Sequence, residues 1–85
     1  MSEICRFFGI IITMYNRDHK PPHFHARYGE FKAEITLDGI ILNGTMPPRI
    51  IGFIMEWLLK HKKELEDNWN IVQNMKNPNK IEPLE

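Results

Sequence analysis

The sequence predicts an α+β domain: an antiparallel β-meander of about four strands packed on one long C-terminal helix. Three observations predict it. Residues 7 to 42 are rich in β-branched and aromatic side chains, in runs separated by short polar and glycine-containing breaks. Two of those breaks, Gly29-Glu30 and Asp38-Gly39, are two-residue hairpin signals. From Pro47-Pro48 onward the apolar residues recur at helical spacing instead.

The first strand is expected over residues 7 to 15, with Phe8, Ile10, Ile12 and Met14 on one apolar face. Phe7, Gly9, Ile11, Thr13 and Tyr15 share the other face, which is too oily for bare solvent. Residues 16 to 22 read as a loop, stiffened by Pro21 and Pro22. Strand two runs from His23 to Tyr28 and alternates His23, His25, Arg27 against Phe24, Ala26, Tyr28. A turn at Gly29-Glu30 pairs Tyr28 with Phe31, Arg27 with Lys32, Ala26 with Ala33 and His25 with Glu34. A one-residue slip would invert both alternations, so the pattern fixes this register. The turn at Asp38-Gly39 is expected to pair Leu37 with Ile40 and Ile35 with Leu42.

Pro47-Pro48 can open a helix, because the first turn has no use for proline's missing donor. Ile50, Ile54, Trp57, Leu58, His61, Leu65, Trp69 and Val72 form its apolar stripe. Glu56 with Lys60, Lys60 with Glu64, and Lys63 with Asp67 stand at i,i+4 on the opposite side. Running to about Met75, this helix would be roughly 40 Å long, wider than four strands at about 4.8 Å spacing. An overhang, or a break near Asp67-Asn68, is therefore expected. Residues 1–76 are read as a single domain and 77–85 as an extended, loose tail.

Eighty-five residues with zero net formal charge give no chain-wide basic footprint for nucleic acid. A lone cysteine, Cys5, excludes an internal disulfide framework and fits a reducing compartment. It has no evident activating partners and reads as a small buried or edge hydrophobe. The longest apolar run, residues 7 to 12, is too short for a membrane span. A cytoplasmic protein is expected.

The chemistry gathers in Asp18-His19-Lys20-Pro21-Pro22-His23-Phe24-His25-Ala26-Arg27, which holds three of the four histidines. His23 and His25 lean the same way from the strand with Cβ atoms roughly 7 Å apart. That spacing suits two imidazoles on one zinc, nickel or copper ion. Asp18, His19 and Glu34 are the nearest further ligands. The plain alternative is that the imidazoles bond to Glu34 and to loop carbonyls, and so hold the loop against the sheet. A metal-independent ribonuclease could use His23 or His25 as proton shuttle and Arg27 or Lys32 to steady a phosphate oxyanion. Tyr15 or Tyr28 could then stack on a base. His61, between Trp57 and Leu65, reads as a hydrogen-bonded interface histidine. His23-x-His25 followed by Glu30 also has the spacing of a first cupin motif, but the second histidine motif and the barrel-length chain are missing.

Phe7-Phe8-Gly9-Ile10, Met14-Tyr15, the Asp18 to Glu30 block with its Pro21-Pro22-His23-Phe24-His25 centre, Pro47-Pro48-Arg49, Glu56-Trp57, His61, Glu64-Leu65, Asn68-Trp69 and Ile81-Glu82-Pro83-Leu84 carry a resemblance. In these residues the chain resembles the bacterial domain of unknown function 4160, over essentially its whole length. The resemblance implies a small partner protein encoded nearby, often from the domain of unknown function 2442. Such pairs are proposed as type II toxin–antitoxin modules, with this family as the toxin. It carries over no catalytic residues. Three functions stay open: a toxin acting on RNA through the His23, His25, Arg27 face; a metal- or small-ligand-binding module; and a non-catalytic interaction subunit or homo-oligomer.

Overall fold

A computed structural model describes residues 2–85. Its elements are β1 (Ser2–Phe7), β2 (Ile10–Met14), β3 (His23–Tyr28), β4 (Phe31–Thr36), β5 (Ile41–Gly44) and the helix α1 (Pro48–Gln73). The strands form one antiparallel sheet in the order β1-β2-β3-β4-β5. This is the expected meander followed by one helix, with one strand more than anticipated.

The additional strand comes from a turn inside the apolar run. Phe8 and Gly9 both adopt positive φ, 51° and 80°, as the tightest hairpins require. Phe7 then pairs with Ile10, and residues directly opposite on paired strands share a face. Phe7 therefore sits in the core, 5.6 Å from the Trp57 ring, whereas Phe8, expected inside, is half-exposed. An aromatic residue at positive φ is uncommon; its ring packs edge-on to Phe53 at 5.1 Å. An extra residue in β1 at Ile4 lets both Ile4 and Cys5 face inward.

The β3–β4 hairpin has the predicted register at all four positions, with Gly29 at φ 57°. The next hairpin differs. The Thr36 amide bonds the Ile40 carbonyl, and the Thr36 hydroxyl accepts from the amides of Asp38 and Ile40. Leu37 leaves the ladder, its amide donating to the Pro22 carbonyl. A three-residue loop results, so Ile35 pairs with Ile41 instead of Leu42. The threonine hydroxyl supplied a turn partner that the Asp-Gly signal did not include.

The helix buries Ile50, Ile54, Trp57, Leu58, Leu65, Trp69 and Val72, as the stripe predicts, together with Asn68. A straight 26-residue helix would span about 39 Å, longer than the molecule's greatest extent of 33 Å. The chain bends at His61 (φ −124°, ψ 22°), six residues before the expected break. Bending there keeps both halves of the stripe on the core. His61 Nδ1 meets Glu64 at 2.6 Å. That contact replaces the expected Lys60–Glu64 pair, while Glu56–Lys60 and Lys63–Asp67 form.

The C-terminal tail is extended but not loose. Ile81 and Leu84 are buried. The Ile81 amide bonds the Ile4 carbonyl, covering part of the β1 edge. Trp57 Nε1 donates to the Glu82 carbonyl. The buried Asn68 amide both donates to Asn79 O and accepts from Asn79 N. Among the described residues no helix is long and apolar enough to cross a membrane.

Candidate metal centre on the outer face of the sheet

Strand alternation places His23 and His25 on the face of β3 opposite Phe24 and Ala26, as the sequence predicts, but the expected clearance from the helix fails at His23, which lies against Trp69 of the helix stripe. That face is not free at His23. Its ring is fully buried, stacked on His19 at 4.6 Å and capped by Trp69 at 5.4 Å. The second half of the helix, beyond the His61 bend, supplies that cap. It also holds the β2–β3 loop: Arg17 N donates to Val72 O, and Gln73 Nε2 donates to Asp18 O.

The loop thereby delivers Asp18 to both imidazoles. His25 Nε2 lies 2.7 Å from Asp18 Oδ2, and His23 Nε2 lies 3.0 Å from the same oxygen. His23 Nε2 is also 3.5 Å from Glu34 Oε1, which His19 Nε2 meets at 3.1 Å. His19 Nε2 stands 3.8 Å from Asp18 Oδ1. All three histidines thus aim Nε2 at two carboxylates. Two groups of donors, Asp18-His23-His25 and His19-His23-Glu34, each fall within 4.8 Å and share His23. Ligands held about 2.0–2.1 Å from a tetrahedral ion would stand roughly 3.3 Å apart.

The decisive atom is His23 Nε2. Its partner nitrogen, Nδ1, lies 2.7 Å from the Pro21 carbonyl. A carbonyl can only accept, so Nδ1 carries a proton, and the neutral tautomer of His23 has its lone pair at Nε2. That lone pair faces two carboxylate oxygens. The atom is fully buried and makes no aligned hydrogen bond, despite the 3.0 Å approach to Asp18. His19 repeats the arrangement, with Nδ1 3.3 Å from Lys20 O. An imidazole that donates Nδ1–H to a carbonyl is oriented to ligate through Nε2.

Burial pushes the Asp18 carboxyl upward, but bonds from the His25 ring and the His19 amide, with the nearby His23, outweigh it and leave it below the usual range. His19 is raised, first by its bond to Lys20 O and then by Asp18 and Glu34.

Beyond the cluster the outer face is a shallow groove of about 480 Å³. Ladder pairing sets its side chains in rows. Glu3, Thr13, His25, Glu34 and Asn43 form one row across the sheet, and Arg6, Ile11, Arg27 and Lys32 the next. Tyr15 stands edge-on to His25 at 4.3 Å. Of the residues singled out from sequence, His19, His23, His25, Asp18 and Glu34 come together. Tyr15, Arg27 and Lys32 line the groove beside them. Tyr28 does not join them: it faces the other side, near Phe8 and Phe53. Sequence reasoning missed Asn43, which donates to Glu34 Oε2 at 3.4 Å, and Trp69 and Gln73, whose roles depend on the bent helix.

The family model for a domain of unknown function, DUF4160, matches residues 9–70, most of the chain and all of the cluster. The chain belongs to this family. No curated protein matches it, and no solved structure matches it. The matched region begins at Gly9 and ends just after Trp69, so it covers β2 to β5, the β2–β3 loop and the helix through Trp69, and leaves out β1 and the Val72 and Gln73 contacts to the loop.

Proposed function

We propose that this DUF4160 protein is a metal-binding module for a first-row divalent ion of the zinc, nickel or copper class. His19, His23 and His25 serve as Nε2 ligands, and Asp18 and Glu34 as carboxylate ligands. The observation that carries the reading is the convergence of three imidazoles and two carboxylates on the fully buried His23 Nε2, with the ring oriented by the bond from Nδ1 to the Pro21 carbonyl. Mixed imidazole and carboxylate donors suit these metals. An ion at the groove's end would supply Lewis acidity there. The test is elemental analysis and zinc titration of tag-free protein. One ion per chain is expected, lost in His23→Ala/His25→Ala. A wild-type protein that neither retains nor takes up metal at micromolar concentration removes the reading.

A second reading keeps the toxin role implied by the family resemblance, with an antitoxin-like partner and RNA as target. What favours it is that His25 and Arg27 line one groove. His23, buried and locked, positions the others. Expression alone should then arrest growth, co-expression with the neighbouring gene product should relieve it, and His25→Ala should abolish the arrest. Normal growth under both regimes ends this reading.

A further inference from the structure

The row of the groove next to the metal centre has a charge pattern that the protein itself leaves unbalanced. Arg27 and Lys32 are directly opposite each other on β3 and β4, where like charges repel. Arg6 lies in the same row, two strands away, across Ile11. Among the described residues, neither Arg27 nor Lys32 makes a side-chain hydrogen bond or ion pair, and the carboxylates within the groove are engaged elsewhere. Glu3 is bonded to Arg6 at 2.8 Å. Glu34 holds His19 and Asn43, and Asp18 holds His23 and His25. The adjacent row, one side-chain repeat or roughly 7 Å along the strands, carries His25 and Glu34 at the end of the metal centre. The groove thus presents two unpaired cations beside an ion site, with the Asn43 side chain on its wall and space for a mononucleotide-sized ligand.

We infer that this groove binds phosphate esters, the phosphoryl group lying between the Arg27–Lys32 pair and the metal-bearing row. An arginine offers a planar fork and a lysine a point charge, the two complementary ways of holding phosphoryl oxygens. The inference rests on the metal reading for one end of the ligand and on the cationic pair for the other. Its source is either a free nucleotide or the backbone of a single RNA strand, which share this chemistry.

Zinc-loaded protein is titrated at fixed ionic strength with adenosine monophosphate, with a short oligouridylate, and with uridine as the uncharged control. The same series is run on Arg27→Gln/Lys32→Gln. The wild type is expected to bind both phosphate-bearing probes, and the double variant at least tenfold more weakly, with zinc stoichiometry unchanged. Oligouridylate binding more than tenfold tighter than the mononucleotide identifies an RNA strand as the source; equal affinity identifies a free nucleotide. Equal binding by wild type and variant, uridine binding as well as adenosine monophosphate, or no binding at millimolar probe overturns the inference. Failure to take up zinc is read separately, in the zinc titration. It removes the metal reading, while the wild-type-to-variant ratio for phosphate esters in metal-free protein still decides the cationic pair.

Discussion

The two faces of the sheet obey different rules. On the inner face, Phe7, Ile10, Ile12, Phe24, Ala26 and Ile35 meet the helix, and any side chains of matching volume and oiliness would serve there. On the outer face, five ionisable side chains converge within hydrogen-bond distances, and a single changed atom alters what the cluster can hold. Bulk holds the first face together, and direction governs the second. His23 belongs to both, since it is as buried as a core residue and capped by a core tryptophan. On the proposed metal reading, substitutions on the inner face should act on stability and those on the outer face on metal uptake, and His23 is the position where the two coincide.

The sharpest way to break that separation is Trp57→Ala. Trp57 is fully buried, touches Phe7 and Phe24, and anchors the tail through Glu82. A loss of about 3–5 kcal/mol in urea unfolding is expected; a loss under about 1 kcal/mol would mean that the inner face is not the stabilising one. On the outer face, zinc at a hundredfold excess over its dissociation constant should stabilise the wild type by about 2.7 kcal/mol. For a domain of this size that is a rise of roughly 10–20 °C in Tm. His25→Ala should melt near the metal-free wild type and show almost none of that rise; an equal rise in both would show that zinc binds elsewhere.

Asn68→Ala examines the tail. It removes both bonds to Asn79 from a buried site and should cost about 1–3 kcal/mol. Faster amide exchange over residues 79–84 should accompany the loss, with zinc uptake intact. The smallest effect concerns Cys5, which burial pushes above the ordinary thiol range. At pH 8 the folded protein should resist alkylation, with modification appearing only as the protein unfolds. Rapid labelling of the native state would show that the β1 edge opens.

Local signals were reliable where one element determined the answer. The Gly29-Glu30 register was legible because two alternating strands agree across it, and the helix stripe because its period is long. The Phe8-Gly9 turn was not, because a single glycine in an apolar run carries no turn signature, and packing on Phe53 holds Phe8 at positive φ. Leu37 was misplaced because its amide bonds Pro22, fifteen residues earlier. The tail looked loose because Ile81 and Leu84 acquire neighbours only once Asn68 and Trp57 hold the chain beside them.

The same division holds for the site. By itself the sequence determined which side chains could converge: the period of a strand sets His23 and His25 on one side, and a tight turn brings Glu34 opposite His25. Only the tertiary structure decided that Asp18 and His19 close over them and that His23 is sealed. Those outcomes depend on where the helix ends after bending at His61, and so on fitting a long helix to a short molecule. A chain's local periodicity does not encode that fit.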